Sequence, residues 1–268
     1  MTKAMRMMKE DIKPVDCVIY VLDARIPLSS VNPAFDEIIG NKPRLYVLNK
    51  SDLVPAEEVN KWQKYFSSQH DSICVTADST KKADGKIING IKQLNKEKLE
   101  RFSARGIKKT IRAMVIGVPN CGKSTLINSL IGKKKTVTGN KPGVTRGKQW
   151  VSVDTYIEVL DTPGTLYPDF SDQEKALHLA FVSSVKDDIV DIVFLAEKLM
   201  EFLWDNYPDA ISARYGDCKS VEQLARKRGY LLRGGEIDYE RTAKAVLNDF
   251  RKQSFGKLIL EKVDGRSA

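Results

Sequence analysis

Short apolar runs alternate with amphipathic segments along the chain as far as residue 160. Five runs are apolar almost throughout: 15–22, 43–48, 73–75, 111–116 and 156–160. Such runs are typical of strands that are buried on both faces. Helical patterns lie between or before them, at 1–13, 55–69, 85–105 and 123–131. This alternation predicts right-handed βαβ units and a parallel sheet with helices on both faces.

Strand signals stop near residue 171. Apolar residues then recur at helical spacing over 177–181 and 192–204, and further helical segments flank a turn at Gly234-Gly235. The sequence therefore predicts an α/β domain over residues 1–170 and a separate all-α domain over 171–268, each of ordinary domain size.

The composition is that of a globular protein, with 42% hydrophobic and 29% charged residues among 268. The sequence offers no apolar run long enough to span a bilayer, no secretory signal and no C-terminal prenylation cysteine. We expect a cytoplasmic protein without membrane contact. Its four scattered cysteines favour reduced structural thiols over disulfides or a zinc site.

The net charge of +9 is unevenly distributed. Residues 1–170 hold 28 Lys and Arg against 18 Asp and Glu, whereas residues 171–268 hold 16 against 17. Basic runs occupy 96–112 and 133–135. A solvated surface is one explanation; contact with a polyanion such as RNA is the one that we favour.

The segment Gly117–Ser124 (GVPNCGKS) is a complete phosphate loop between an apolar strand and an amphipathic helix. Backbone N–H groups of such a loop cradle phosphates. Lys123 is expected to bridge the β- and γ-phosphates, and the Ser124 hydroxyl to ligate Mg²⁺. The residues expected to contact nucleotide here are Pro119, Asn120, Cys121, Gly122, Lys123, Ser124 and Thr125.

The segment Asn49-Lys-Ser-Asp52 follows another predicted strand. Alone it is an ordinary turn pattern, but beside a phosphate loop it indicates guanine recognition. Asp52 would accept hydrogen bonds from guanine N1–H and the 2-amino group, which adenine lacks, so GTP is favoured over ATP. The stem of Lys50 would pack over the base, Asn49 would tie this loop to the phosphate loop, and the N–H groups of Thr76-Ala77 would face guanine O6.

The segment Asp161-Thr-Pro-Gly164 ends a third strand. A type II turn is the alternative reading, since Pro and Gly favour one. Together with the other motifs, Asp161 is expected to support Mg²⁺ indirectly, through the groups that coordinate the ion, and the Gly164 N–H is expected to sense the γ-phosphate. Thr145 is the favoured threonine to close over Mg²⁺ and γ-phosphate, with Thr136 and Thr138 as rivals. The predicted catalytic set is thus Lys123, Thr145 and Gly164.

The order of these motifs is circularly permuted. Conventional GTPases begin with the phosphate loop, whereas here the base-reading segments at 49–52 and 76–77 precede it. Permutation changes connections rather than packing, so we predict a Ras-like P-loop GTPase sheet with a C-terminal all-α domain. Because the segment after Gly164 leads directly into that domain, loss of the γ-phosphate should alter how residues 171–268 dock.

At this point the sequence resembles the bacterial ribosome biogenesis GTPase A family of circularly permuted GTPases. The resemblance spans essentially the whole chain and is carried by 23–27 (DARIP), 49–52, 117–124, 142–145 (PGVT), 149–150 and 161–164, with weaker support from 214–216.

The resemblance implies a late assembly factor for the large ribosomal subunit, activated by that subunit and bound to rRNA and ribosomal proteins. The C-terminal helices would contact RNA, although their balanced charge suggests that phosphate contacts come mainly from the GTPase half. We expect GTP or GDP and Mg²⁺ as ligands, and a monomer.

The residue that activates water is left open. No glutamine follows Gly164 as it does in Ras-like enzymes. The family is similar to members with a histidine in an N-terminal Pro-Gly-His-Met motif, and this sequence starts at Met1-Thr-Lys-Ala, which implies a truncated chain or a start placed late. Of the remaining histidines, His70 is expected at the surface, and for His178 a structural role is favoured over contact with phosphate.

Asn120 is similar to the asparagine of GTPases that use K⁺ to offset transition-state charge; the alternative is a loop residue that tolerates unusual backbone angles.

Two functional hypotheses follow. The first is a slow GTPase that the large subunit accelerates, and the second is a GTP-gated RNA-binding switch with little hydrolysis of its own. Membrane signalling of the Ras type is disfavoured by the motif order and the absent lipidation site.

Overall fold

The computed structural model describes residues 3–78, 85–131, 150–162, 164, 166 and 172–263. Among these residues, six strands form one sheet in the order β3-β2-β1-β4-β6-β5. Their bounds are Cys17–Asp23 (β1), Arg44–Asn49 (β2), Ser72–Ala77 (β3), Ile111–Ile116 (β4), Trp150–Asp154 (β5) and Ile157–Asp161 (β6). All neighbours are parallel except β5 and β6. The predicted α/β class and buried parallel strands are confirmed, and every residue of β1 is buried.

Within the described ranges, six helices accompany the sheet: Lys3–Asp11 (α1), Pro33–Ile39 (α2), Ala56–Ser67 (α3), Lys86–Leu94 (α4), Lys96–Ser103 (α5) and Lys123–Ile131 (α6). The remaining five follow it: Gln173–Phe181 (α7), Ile192–Asn206 (α8), Pro208–Tyr215 (α9), Val221–Arg228 (α10) and Tyr239–Arg251 (α11). The predicted C-terminal run of helices is therefore confirmed.

The prediction of a single long helix over 85–105 is wrong. Asn95 divides it into α4 and α5, with φ −111° and ψ 17°. Its amide donates to the Ile91 carbonyl at 2.9 Å, which satisfies the end of α4 locally. Asparagine offers the backbone such alternatives to helix, and here its side chain is buried, so the break is fixed by packing.

Strand register brings the predicted motifs to one edge of the sheet. Asp23 pairs with Asn49 across β1 and β2, and Asn49 pairs with Ala77 across β2 and β3. On the other side, Asp161 ends β6 beside β4, which leads into the phosphate loop. Because carboxyl ends of parallel strands share an edge, segments that are far apart in sequence meet there.

The C-terminal segment returns to the loops of the sheet. The Leu258 N–H donates to the Leu53 carbonyl at 3.2 Å, and the Leu260 N–H donates to the Arg25 carbonyl at 2.9 Å. The Glu261 carboxylate accepts from the Leu28 N–H at 2.6 Å. Residues 258–261 are thus joined by hydrogen bonds to the first half of the chain, and the division at residues 170 and 171 stays a prediction.

All four cysteines are buried free thiols. Burial raises the pKa of Cys17 and Cys74 to about 12 and that of Cys121 to about 11, so they stay protonated at neutral pH.

In the ranges that the structure describes, none of the helices combines the length and apolar character needed to cross a bilayer.

Candidate functional site

The phosphate loop folds through backbone angles that its residue types permit. Gly117 has φ 150°, and a side chain there would collide with the Val21 carbonyl oxygen. Asn120 and Gly122 take positive φ values of 58° and 97°. These turns bring the chain into the nine-residue helix α6, which begins at Lys123. The arrangement is the loop and helix N-terminus that bind phosphate in P-loop proteins.

Two residues of the predicted phosphate and metal site, Asp161 and Gly164, lie against two that belong to this loop, Lys123 and Ser124. The Lys123 ammonium lies across it and donates to the carbonyls of Gly117 at 3.1 Å and Val118 at 2.9 Å. The Ser124 hydroxyl donates to Asp161 Oδ2 at 2.9 Å. A Cβ on Gly164 would lie 2.8 Å from the Lys123 ammonium, so that glycine approaches the loop closely.

The segment 49–52, which is predicted to read the base, is tied to the same loop. The Asn49 amide donates to the Cys121 carbonyl at 2.7 Å. Lys50, with φ 58°, donates from its ammonium to the Asn120 carbonyl at 2.7 Å. Asn49 Oδ1 is buried and has no hydrogen-bond partner within the part of the chain that the structure covers. The two motifs therefore form one surface although 65 or more residues separate them in sequence.

Asp23 adds a buried carboxylate that sequence analysis left without a role. It accepts from the Lys50 ammonium at 2.8 Å and from the Arg25 guanidinium at 2.7 and 2.9 Å. Burial by itself raises the pKa of Asp23, but the charges and hydrogen bonds of Arg25 and Lys50 outweigh it and hold that pKa well below its ordinary value. In the sequence, Asp23 was noted only as part of the DARIP stretch at 23–27. Its role could not be predicted there because it depends on the ion pair with Lys50, which is distant in sequence.

These loops line a half-open cavity of about 470 Å³, a size that suits a small ligand. Its lining residues are Lys50, Asp52, Leu53, Asp78, Asn120, Gly122, Lys123, Ser124 and Thr125. Seven of these were predicted, whereas Leu53 and Asp78 were not; each directly follows a predicted residue.

The other predicted residues lie beside this cavity or outside the described ranges. Thr76 and Ala77 end β3, where the Ala77 carbonyl accepts from the Ser51 hydroxyl at 3.2 Å, and the next residue, Asp78, lines the cavity. Pro119 accepts from the Ser184 hydroxyl at 2.8 Å. Thr145 and its rivals Thr136 and Thr138 are not among the described residues.

The two histidines differ sharply in environment. His70 is 93% exposed, which confirms its predicted surface position. His178 is buried, with Nδ1 3.1 Å from Glu261 Oε1 and 3.3 Å from Ser29 Oγ. It is therefore held in a polar contact between α7, the loop after β1 and the C-terminal segment.

The oxygen atoms of Ser124 and Asp161 suit a hard cation such as Mg²⁺. The described residues offer no cluster of three or more His, Cys, Asp or Glu side chains able to hold a metal. Mg²⁺ commonly binds through one or two protein oxygens plus substrate phosphates and water, so this sparse set fits an ion bound together with nucleotide.

Comparison with known proteins agrees with this geometry. A family model described as "50S ribosome-binding GTPase" matches residues 112–215. Ribosome biogenesis GTPase A of Bacillus licheniformis is 40% identical over 98% of this chain and 95% of its own length. Mitochondrial ribosome-associated GTPase 1 of Bos taurus is 32% identical over 100% of this chain and 89% of its own.

Solved structures extend the likeness to the whole fold. The crystal structure of GNP-bound YlqF from Thermotoga maritima matches 99% of this chain and 100% of its own, with a TM-score of 0.71 and 27% identity. The GDP-bound form matches with a TM-score of 0.70. These are structures of guanine-nucleotide complexes with the same architecture. The chain belongs to the ribosome biogenesis GTPase A family and is a GTP-hydrolysing enzyme with a circularly permuted P-loop fold.

Proposed function

We propose that this GTPase is an assembly factor for the large ribosomal subunit, on which GTP controls binding and release. The observation that carries the proposal is the meeting of the phosphate loop, the 49–52 segment and Asp161 around one cavity, from which the chain continues directly into α7 to α11. A change in the position of Gly164 on loss of the γ-phosphate would therefore be transmitted to α7 to α11, which we call the helical half. The names of the relatives and the "50S" description of the family model support the ribosomal partner.

In this proposal the cavity binds GTP or GDP with the base beside Asp52 and the phosphates over α6. Asp52 accepts from the guanine N–H groups, Lys123 compensates the charge of the β- and γ-phosphates, and Gly164 contacts the γ-phosphate. Ser124 and Thr145 would hold Mg²⁺ when it is bound with nucleotide, and Asp161 would support it through its hydrogen bond with Ser124. The close approach of Gly164 to Lys123 supports these roles.

Whether K⁺ assists hydrolysis depends on Asn120. Its backbone is left-handed, and its side-chain amide donates to the Ser183 carbonyl at 2.6 Å. Both features fit a conformational role for this asparagine. The K⁺ hypothesis stays a prediction, and rates measured in potassium and sodium buffers test it.

Four cations at the end of α5 and in the loop that leads to β4 are the best candidates to contact rRNA. We define the basic segment as Arg101, Arg105, Lys108 and Lys109. No ion pair to them occurs among the described residues, and Lys109 lies 5.8 Å over the Phe102 ring. These side chains can neutralise phosphates without first breaking an ion pair, and each neutralised phosphate releases counterions. Together with the excess of Lys and Arg over Asp and Glu in residues 1–170, this favours the GTPase half as the source of the electrostatic contact.

Neutralising the basic segment should flatten the salt dependence of binding to large subunits and to protein-free large-subunit rRNA. Each lost phosphate contact reduces the magnitude of the negative slope of log K against log salt by about 0.7–0.9, so R101Q/R105Q/K108Q/K109Q should reduce that magnitude by about 3. The control variant K175Q/K198Q/R226Q/K244Q removes the same charge from ion-paired positions and should leave the slope nearly unchanged. If both variants changed the slope equally, the basic segment would not be the surface that contacts rRNA.

The proposed function is tested by GTP turnover with and without purified large subunits, using small subunits as the control. Intrinsic rates of such enzymes are roughly 10⁻⁴ to 10⁻² s⁻¹, and a supplied group adds about 10³ to 10⁵. We expect an increase of about 10³ or more with large subunits alone. An equal increase with small subunits would contradict the specificity for the large one.

A second candidate is a GTP-gated switch that binds the subunit but hydrolyses little GTP by itself. It is favoured by the engagement of His178 with Glu261 and Ser29, which leaves this buried histidine committed to a structural contact. Undiminished subunit capture without stimulated turnover would favour this candidate over the first.

A further inference from the structure

We infer that Asp23 is a positioning residue for nucleotide binding, which fixes Lys50 between the base-reading loop and the phosphate loop. The Lys50 ammonium donates to Asp23 Oδ2 at 2.8 Å and to the Asn120 carbonyl at 2.7 Å. It thus bridges the end of β1 and the phosphate loop. The inference rests on the proposed role of residues 49–52 in guanine binding.

Lys50 needs such a partner because a lysine side chain is long and flexible. Its stem is expected to cover one face of the base, which requires the chain to lie in one conformation before the nucleotide arrives. The Asn120 carbonyl alone is a neutral acceptor on a loop. A carboxylate makes a stronger, charge-assisted hydrogen bond and gives the ammonium a second fixed acceptor.

Asp23 is itself mounted rigidly. Its side chain is 1% exposed, and the Arg25 guanidinium holds both carboxylate oxygens. The Asp23 N–H donates to the Ser30 hydroxyl at 3.1 Å, which closes the loop after β1. Arg25 supplies the countercharge that allows a carboxylate to remain ionised in this position.

Arg25 is in turn held by the C-terminal part of the chain. Its carbonyl accepts from the Leu260 N–H at 2.9 Å, and its guanidinium lies 5.6 Å over the Phe250 ring of α11. The conformation of Lys50 therefore depends on Asp23, and Asp23 is held by Arg25, which contacts the helical half through Phe250. Asp23 affects nucleotide through Lys50 and not by touching it.

A double-mutant cycle between Asp23 and Lys50 tests this. The full-length protein is titrated with N-methylanthraniloyl-GDP as wild type, D23N, K50M and D23N/K50M. We expect D23N to weaken binding by about 10- to 100-fold, the effect of one charge-assisted hydrogen bond. In the K50M background the same change should weaken it by less than about threefold, because its target is gone.

Other results would overturn the inference in distinguishable ways. Equal losses from D23N in both backgrounds would show a merely structural role, and no loss in wild type would remove the role altogether. If K50M itself leaves affinity unchanged, the Lys50 ammonium has no positioning role and the inference fails, whereas the base-binding role of 49–52 is tested separately by substitution of Asp52. Where D23N does not fold, D23N/R25Q replaces it, since that pair leaves no unpaired buried charge while still removing the acceptor of Lys50.

Asp16 provides a matched control at the opposite edge of the sheet. Its carboxylate is 6% exposed, pairs with Lys98 and accepts from the Arg112 N–H at 2.8 Å. D16N therefore also removes a buried, lysine-paired carboxylate. It should lower the melting temperature but leave the affinity for the fluorescent GDP within about twofold; a loss equal to that of D23N would overturn the specific role of Asp23.

Discussion

Replacing Asp52 with asparagine is expected to lower the affinity for GTP by about 10²- to 10⁴-fold while leaving the fold intact. Asp52 lines the cavity beside Lys50 and is half-buried. Two hydrogen bonds from guanine to a charged carboxylate are worth about 1.5–3 kcal/mol each, and 1.4 kcal/mol corresponds to a factor of ten. Asparagine would also turn an N–H donor toward the donors of guanine, which cannot pair with it.

The same substitution should create a preference for xanthosine triphosphate. Xanthine carries a carbonyl where guanine carries the 2-amino group, so the asparagine amide can donate to it. Affinities are measured by competition against a fluorescent GDP, with GTP, ATP and xanthosine triphosphate as competitors. E57Q removes one exposed carboxylate from α3 and should change none of them. Unaltered GTP affinity in D52N would refute the assignment of the base to this end of the cavity.

The backbone around Asp52 explains why the effect should be confined to the base. The Asp52 carbonyl accepts from the Gln253 amide at 3.4 Å, and the Leu53 carbonyl accepts from the Leu258 N–H. Both contacts use main-chain atoms of this loop, which D52N leaves in place. A melting temperature close to that of wild type would separate loss of recognition from loss of structure.

A methyl group at Gly164 should reduce GTP hydrolysis by about 10²-fold or more. An alanine Cβ would lie 2.8 Å from the Lys123 ammonium and 2.8 Å from Pro119 Cα. The ammonium can move, but the Pro119 backbone belongs to the phosphate loop, so the loop or the 161–164 segment must shift. A displacement of about 1 Å in catalytic positioning costs about 10²-fold in rate.

The measurement is single-turnover hydrolysis of GTP by G164A, with the affinity for GDP determined in parallel. We expect the rate to fall by more than the affinity for GDP, because Gly164 is proposed to contact the γ-phosphate. G85A is the matched control, since a Cβ there finds its nearest neighbour at 3.8 Å, an ordinary contact distance. Hydrolysis by G164A at the wild-type rate would show that this close approach has no catalytic importance.

Sequence patterns predicted what depends on neighbouring residues. The apolar run of β1 and the strand–loop–helix context of 111–131 were readable because burial and helix periodicity are local properties. Strand β5 and helix α2 are among the elements that were missed for the same reason. Strand β5 is half-buried and polar at Ser152 and Asp154, and α2 is a seven-residue helix capped by Asn32. Both carry weak periodic signals.

The expected chemical role of a residue could be predicted where a single motif assigns it, as for Lys123 and Asp52. Contacts between residues of different motifs could not be predicted. The pairing of Asp23 with Lys50 spans 27 residues, and that of Glu261 with Ser29 spans 232. Neither spacing has a signature, because the distance is set by strand order and by the return of the C-terminal segment.

The sequence by itself determined the fold class, the guanine-nucleotide chemistry and the permuted order of the motifs, since each is written in short stretches whose residues act on their neighbours. Only the tertiary structure decided that α4 and α5 are separate, that His178 is committed to Glu261, and that Asp23 holds Lys50. These outcomes depend on burial and on long-range hydrogen bonds. A polar group that is removed from water must find a partner, and the fold decides which residue that is.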